Sequence, residues 1–250
     1  MKLYITHNNR HYSCNLNRPI DISIPMNLKS VVAWDMPSIS ISPVKINNWT
    51  ADVSQGAAVN FNTIVFNPHA HGTHTECVGH ISPNKESLNQ ELNNFFFISK
   101  LISICPKKKN KDRVITKKMI QELVKKEDKI NTLVIRTFPN TKQKLSKNYT
   151  NTNPPYLLKD AIDYMVGLGV KHLLIDLPSV DKEKDGGKIL GHKSFWGYPS
   201  RKRKGCTITE LIFVKNSIKD GYYLLNLQFV PFENDASPSR PLLFKFEKSV

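Results

Sequence analysis

Residues 69–80 of the sequence, HAHGTHTECVGH, place four histidines and one glutamate within twelve positions. Imidazole and carboxylate groups are the ligands that divalent zinc, manganese and iron prefer in proteins. His74 and Glu76 are two residues apart, so in an extended segment their side chains project to the same side and could share a metal ion. His80 is a candidate for proton transfer at the edge of such a site, because imidazole titrates near neutral pH. The segment therefore predicts metal-dependent chemistry such as hydrolysis.

The residues just before this segment predict how it is held. Residues 57–66 form an apolar extended stretch, and Asn67-Pro68 interrupts regular structure immediately before the histidines. The cluster is therefore predicted on a loop at the end of a strand. Polar and apolar residues alternate with a period of two in 21–25 and in 38–43, which predicts two half-buried strands in an N-terminal β region.

Strands and helices alternate along the rest of the chain. Thr116 can cap a helix whose apolar residues recur at helical spacing over 119–124, and residues 157–166 predict a second amphipathic helix that ends at Gly167. Apolar and β-branched segments predict strands at 95–104, 130–137, 171–177, 208–214, 222–230 and 242–246. A strand, helix, strand succession suggests a parallel pair, so we expect an α/β fold with one domain over residues 1–250.

The composition narrows the class of partner. The formal charge of +15 would ordinarily suggest nucleic acid, but the basic runs at 107–111, 125–126 and 201–204 are scattered and not interleaved with aromatic residues. We therefore expect no nucleic-acid partner.

The N-terminus lacks the apolar segment of a secretory signal, and no apolar run approaches the roughly 20 residues that span a bilayer. Four scattered cysteines without CxxC spacing fit reduced thiols. These features predict a cytoplasmic protein without a membrane partner.

Residues 70–80 resemble a family signature. The pattern His-x-Gly-Thr-His-x-Asp-x-Pro-x-His is typical of the cyclase family, whose best-known members are bacterial kynurenine formamidases, also called arylformamidases, with isatin hydrolases nearby. Gly72, Thr73, His74 and His80 stay in register with that signature.

The resemblance continues downstream and covers about residues 20–230. DLPSVD at 176–181, then His192, then TEL at 209–211 are similar to the second half of the family, where a histidine and a later glutamate complete the metal site. The likeness therefore implies a site assembled from two distant parts of the chain.

By this resemblance the metal ligands are His74, Glu76, His192 and Glu210, and His80 is the proton-transfer residue. Two divalent ions per chain are implied, with zinc as the first choice and manganese as the alternative. The implied fold is a single domain with a mixed β-sheet and packed helices, swivelling β/β/α-like as in this family. A homodimer or larger homo-oligomer is also implied.

The implied activity is hydrolysis of a C–N amide bond in a small molecule, as in the conversion of N-formylkynurenine to kynurenine and formate during tryptophan catabolism. Ring-opening of a cyclic amide, or a cyclisation at the same metal site, is an alternative. A non-catalytic basic nucleic-acid-binding protein is a more distant one. Trp34 and Trp49 could wall an aromatic substrate, or they could simply pack as large side chains.

The sequence departs from the signature at its first ligand. Ala70 stands where the family has a histidine and cannot bind metal, but His69 and His71 flank it. A one-residue bulge could bring either of them into place. We favour His69, because Asn67-Pro68 can reset the end of the strand.

Two further departures follow within the same segment. Glu76 replaces the bridging aspartate and is one methylene longer, which displaces the carboxylate unless the backbone retreats. Val78-Gly79 replaces the proline that precedes the last histidine, which gives His80 more freedom. These departures bear on substrate identity more than on the metal site.

Overall fold

Short strands make up most of the regular secondary structure. The computed structural model describes residues 1–248, so the last two residues of the predicted 1–250 domain lie outside the described part. The strands are β1 (Lys2–His7), β2 (Arg10–Asn15), β3 (Ile20–Asp21), β4 (Ser40–Pro43), β5 (Lys45–Ile46), β6 (Trp49–Thr50), β7 (Asn62–Val65), β8 (His74–Glu76), β9 (Phe96–Ile104), β10 (Lys107–Lys109), β11 (Asp112–Ile115), β12 (Thr132–Thr137), β13 (Tyr156–Leu157), β14 (His172–Ile175), β15 (Thr207–Glu210), β16 (Gly221–Asn226), β17 (Ala236–Pro238), β18 (Leu242–Lys245) and β19 (Glu247–Lys248). The helices are α1 (Leu88–Glu91), α2 (Lys117–Leu123), α3 (Lys159–Gly167) and α4 (Leu190–Trp196), with 3-10 turns at Val53–Gln55, Val78–His80, Lys126–Asp128 and Lys142–Leu145.

Nine strands form the central sheet in the order β17, β8, β15, β14, β12, β9, β16, β18, β3. The four inner strands β15, β14, β12 and β9 are parallel, and antiparallel strands extend the sheet on both sides. The predicted parallel pair is confirmed as β12 and β14, with α3 in the connection between them. The sheet is therefore mixed, and the predicted α/β class with a mixed sheet and packed helices is confirmed.

Strand β12 shows why the centre of the sheet is the core. All of its residues are buried, as expected for a parallel strand that is covered on both faces. Leu133 and Ile135 pack on one side with α2, α3 and α4. Val134 packs on the opposite side with β16 and β18. Alternate residues of the same strand thus supply two apolar layers.

The two predicted helices form where their capping and periodicity place them. The Thr116 side chain caps α2 by accepting a hydrogen bond from the backbone N–H of Met119. Helix α3 buries Ala161, Ile162 and Met165 on one face. Helix α4 was not predicted, because its seven residues are too few to show a helical period. Within residues 1–248, no helix has both the length and the apolar composition that crossing a bilayer requires.

Several local predictions differ from the structure. The strands predicted over 208–214 and 222–230 end earlier, at Glu210 and Asn226. The strand predicted over 21–25 ends at Asp21, because the Asp21 carboxylate accepts hydrogen bonds from the backbone N–H and hydroxyl of Ser23 and turns the chain. The histidine cluster was predicted on a loop, but its middle, His74–Glu76, is strand β8 in the interior of the sheet. A strand of three residues is too short to show an alternating pattern.

The carboxylate of Asp176 ties together the ends of two central strands. It is buried and accepts hydrogen bonds from the backbone N–H and hydroxyl of Thr137, both at 2.8 Å, and from Lys144 Nζ at 2.7 Å. Burial raises the pKa of Asp176, while the Lys144 ammonium pulls it the other way. Because Thr137 ends β12 and Asp176 follows β14, this network fixes the segment that leads to Asp181.

We expect Lys144→Met to lower the free energy of unfolding by about 3–5 kcal/mol, because it leaves the Asp176 carboxylate buried without its charged partner. Urea denaturation followed by circular dichroism measures this loss. Lys142→Met removes an exposed lysine from the same 3-10 turn and is the matched control, with an expected change below about 0.5 kcal/mol. Equal losses in the two variants would contradict the role of the network.

Candidate metal centre

Strand pairing brings the two halves of the predicted site together. Strands β8 and β15 are antiparallel, and their register sets Glu210 opposite His74. The Nε2 atom of His74 lies 3.6 Å from Oε2 of Glu210. The hydroxyls of Thr75 and Thr209, which are also paired, lie 2.8 Å apart. Because side chains alternate along a strand, Glu76 shares the face of His74 and Glu210.

Glu76 lies at the centre of this cluster with its carboxylate completely buried. Its Oε1 lies 3.1 Å from His192 Nε2, and its Oε2 lies 3.1 Å from His69 Nδ1 and 3.8 Å from His80 Nε2. Burial opposes ionisation, but the charge of His80 and the hydrogen bond from His192 hold the pKa of Glu76 well below its usual range. Three imidazoles thus surround one buried carboxylate.

His192 lies in α4, where Asp181 fixes both the helix and the ring. The Asp181 carboxylate accepts hydrogen bonds from the backbone N–H groups of Gly191 and His192 and from His192 Nδ1, the last at 2.6 Å. The ring therefore directs Nε2 towards Glu76 and towards Glu210, whose Oε1 is 3.9 Å away. Burial disfavours the imidazolium, but Asp181 and Glu76 raise the pKa of His192 well above its ordinary value.

The two histidines that flank Ala70 have different surroundings. His69 contacts the cluster, with Nδ1 beside Glu76. Both ring nitrogens of His71 bond to the backbone instead, since Nε2–H donates to the Pro37 carbonyl at 2.7 Å and Nδ1 accepts from the Asn67 N–H at 2.8 Å. His71 therefore has no free nitrogen for a metal ion and lies outside the cluster.

His80 ends a 3-10 turn at the rim of the cluster, and its side chain is 34% exposed. Its Nδ1 lies 3.2 Å from Oδ2 of Asp235, which also lies 2.8 Å from His69 Nε2. No local motif marks Asp235, which follows His80 by 155 positions in the chain. Only the pairing of β17 with β8 reveals it.

Carboxylates lie beside each of the cluster's exposed and buried imidazoles. Burial disfavours a charged imidazole at His69, but the nearby carboxylates of Asp235 and Glu76 raise its pKa to about 10. The pKa of the Asp235 carboxyl is correspondingly held below its ordinary value, against burial, by His69 and His80. A group of carboxylates that raises imidazole pKa values in this way stabilises positive charge, whether carried by protons or by a divalent cation.

The donor set fits a divalent metal ion. The buried atoms His74 Nε2 and Glu76 Oε2 have no hydrogen-bond partner among residues 1–248. Buried polar atoms are almost always satisfied, and coordination to a metal would satisfy both of these. Candidate ligand atoms of His69, His74 and Glu76 lie within 4.8 Å of one another, as do those of Glu76, His80 and His192.

A cavity of about 290 Å³ opens beside the cluster. Its lining includes His69, His80, His192, Glu210 and, on the outer wall, Trp34 and Met36. Trp34 Nε1–H donates to the His69 carbonyl at 3.1 Å, which holds the indole beside the site. Trp49 lies on β6 and does not line this cavity. Trp196 is buried behind His192 and donates to the Cys206 carbonyl, which is a packing role.

The sequence matches the family model named Cyclase, described as "Putative cyclase", over residues 20–182, which is more than half of the chain. The chain belongs to the cyclase family. The resemblance inferred from the signature is therefore confirmed. No protein with a curated description matches the sequence.

Solved structures with the same cyclase-family fold cover most of the chain. A protein described as a "predicted metal-dependent hydrolase" from Bacillus stearothermophilus superposes with a TM-score of 0.64 and 20% identity, over 91% of this chain and 98% of that one. An isatin hydrolase bound to the product analogue thioisatinate gives 0.64 and 16%, over 92% of each chain. Isatin hydrolase A from Labrenzia aggregata, bound to benzyl benzoate, gives 0.65 and 14%, over 92% and 94%. At these identities the likeness establishes the fold.

Alanine variants of the three histidines at the start of the segment test which of them bind metal. We expect His69→Ala and His74→Ala to lower zinc content measured by mass spectrometry after dialysis, because each removes a nitrogen that faces Glu76 or Glu210. His71→Ala should keep the metal but lower the melting temperature, because two backbone groups lose buried partners at about 1–3 kcal/mol in total. Loss of metal in His71→Ala with retention in His69→Ala would reverse the assignment.

Proposed function

We propose that this cyclase-family chain is a metal-dependent hydrolase that cleaves a C–N amide bond in a small molecule. The observation that carries the proposal is the buried cluster of histidines and glutamates, in which His74 Nε2 and Glu76 Oε2 have no hydrogen-bond partner among residues 1–248. The exposed His80 lines the cavity directly beside this cluster. The signature residues and the structural neighbours described as metal-dependent or isatin hydrolases support the same class of reaction.

The proposed ligands are His69, His74, Glu76, His192 and Glu210, which together would offer enough donor atoms to hold two divalent ions. A divalent ion held here would polarise a carbonyl group and lower the pKa of a water molecule. Imidazole and carboxylate donors suit zinc first and manganese as the alternative. The carboxylate charge of Glu76 and Glu210 offsets the charge of the cation in the buried site.

His80 is the proposed proton carrier. Amide hydrolysis requires a proton to leave the attacking water and a proton to reach the departing nitrogen, which is a poor leaving group as an anion. The His80 side chain lines the cavity, its Nδ1 is engaged by Asp235, and its Nε2 faces the cluster. The ring can therefore accept a proton at Nε2 and return it to the leaving group.

An aromatic amide fits the walls of the cavity. Trp34 and Asp35 both have left-handed backbone angles, at φ 61° and 54°, and the Asp35 N–H donates to the Thr150 hydroxyl. Non-glycine residues adopt this conformation at a cost, which is typical of functional turns, and here the turn presents the indole to the cavity. We propose N-formylkynurenine as substrate. The isatin hydrolase neighbours favour a cyclic aromatic amide as the second candidate.

Activity assays with defined metal test this proposal. We expect purified protein to hydrolyse N-formylkynurenine or isatin, and a chelator to abolish turnover that added zinc or manganese restores. His80→Ala should lower kcat by about 10²–10⁴-fold while metal content stays unchanged, because proton transfer is lost and the ligands remain. His11→Ala, at an exposed histidine on β2, is the control. Protein that holds no metal at neutral pH would overturn the proposal.

We also propose that the chain forms a homodimer or larger homo-oligomer. Within residues 1–248, strand β7 pairs only with β4, and all four of its residues are exposed, including Ile64 and Val65. Nearby Val59 and Phe61 are also more than half exposed. Contiguous apolar side chains of this kind are typical of a protein interface. Ile64→Lys should halve or further reduce the mass measured by light scattering, and a wild-type monomer would contradict the proposal.

A further inference from the structure

Asp235 lies where the last part of the chain meets the histidine segment. The residue precedes β17, whose Ala236 pairs with Glu76 across the ladder. The Asp235 carbonyl accepts a hydrogen bond from the backbone N–H of Cys77 at 3.0 Å. The backbone of Asp235 is thus hydrogen-bonded beside β8, and this fixed backbone position lets the side chain reach the cluster.

One carboxylate oxygen of Asp235 engages two rings. Its Oδ2 lies 2.8 Å from His69 Nε2 and 3.2 Å from His80 Nδ1. The two rings are stacked, with centroids 4.2 Å apart and planes inclined by 28°. The opposite nitrogen of each ring faces Glu76 Oε2, at 3.1 Å from His69 Nδ1 and 3.8 Å from His80 Nε2. Asp235 therefore sets which nitrogen of each ring points into the cluster.

His69 differs in this respect from His74 and His192, the other two histidines proposed as ligands. His74 and His192 direct Nε2 inwards, and their Nδ1 atoms bond to the Gly72 carbonyl and to Asp181. His69 directs Nδ1 inwards and leaves Nε2 outside. In a histidine ring, Nδ1 is nearer the backbone than Nε2. His69 is attached one residue before Ala70, and from that position its Nδ1 is the nitrogen that faces Glu76. That orientation requires an acceptor beyond Nε2, and Asp235 supplies it.

We propose that Asp235 is a positioning residue that orients His69 to bind metal through Nδ1. His69 would thereby replace the ligand histidine of the family signature, where this chain has Ala70. Asp235 would also hold His80 in one tautomer. The inference rests on the proposed function, since it assumes that the cluster binds a divalent ion. A carboxylate on the far nitrogen of a ligand histidine fixes the ring and increases its basicity, and its loss typically weakens metal binding by about 10–100-fold.

Zinc affinity, measured without substrate by competition with a chromophoric chelator, gives the first test. Asp235→Ala is expected to weaken zinc binding by about 10–100-fold, and Asp235→Asn, which keeps an acceptor, by less. Asp181→Ala should weaken binding similarly through His192. Glu233→Gln is the matched control on the same loop, because its carboxylate bonds to Asn89 and Gln90 outside the cluster.

Nitrogen-15 spectra of histidine-labelled, zinc-loaded protein give the second test and do not depend on turnover. The inference predicts His69 with a proton on Nε2 and metal on Nδ1 in the wild type, and loss of that single form in Asp235→Asn. Metal bound to His69 Nε2 or to His80 Nδ1 would overturn the inference. These two nitrogens face Asp235, so its carboxylate would then bind the metal instead of orienting the rings.

The two tests separate this inference from the proposed function. If Asp235→Ala and Asp235→Asn bind zinc with the same affinity as the wild type, the proposed role of Asp235 is wrong, but the proposed metal centre is not contradicted. Wild-type protein with no measurable zinc affinity would overturn both.

Discussion

The buried carboxylate of Glu76 is the constraint on which the rest of the site depends. An ionised carboxylate without water costs several kcal/mol unless opposite charge and hydrogen bonds offset its desolvation. In this chain the offset comes from three imidazoles that belong to a turn before β8, a turn after it and helix α4. Their convergence requires that β8 lie inside the sheet beside β15, and that α4 follow the end of β14. The order of the sheet is therefore tied to the chemistry of one side chain.

The histidines act as oriented groups because each ring is held from its far side. The Gly72 carbonyl, Asp181 and Asp235 bond to the nitrogens that point away from Glu76. Asp181 is in turn reached through the segment that Asp176 anchors to Thr137 and Lys144. The candidate centre thus extends beyond its donors into a network that fixes ring orientation, and a rigid orientation is what a metal ligand needs.

The departures from the family signature are accommodated together. His69 lies one residue before Ala70, the position of the signature histidine, so its side chain starts from a different backbone position. The side chain of Glu76, which is longer than the aspartate of the signature, extends towards the His69 ring. His69 then meets Glu76 with the ring nitrogen nearer its backbone, while its outer nitrogen meets Asp235. His71, whose position alone made it an equal candidate, is committed to the backbone of Pro37 and Asn67.

The family, the α/β class, the four central parallel strands, helices α2 and α3, and the grouping of His74, Glu76 and His80 could all be predicted from the sequence. These features are local, since the pleat of a strand and the period of a helix fix side-chain direction over a few residues. His192 and Glu210 came only from the family resemblance. Only the tertiary structure shows that His69 contacts the cluster while His71 bonds to the backbone, that β8 lies inside the sheet, and that Asp235 reaches the histidines. Those outcomes depend on a turn geometry and on the register between β17, β8 and β15, and no local pattern encodes the distance between segments far apart in the chain.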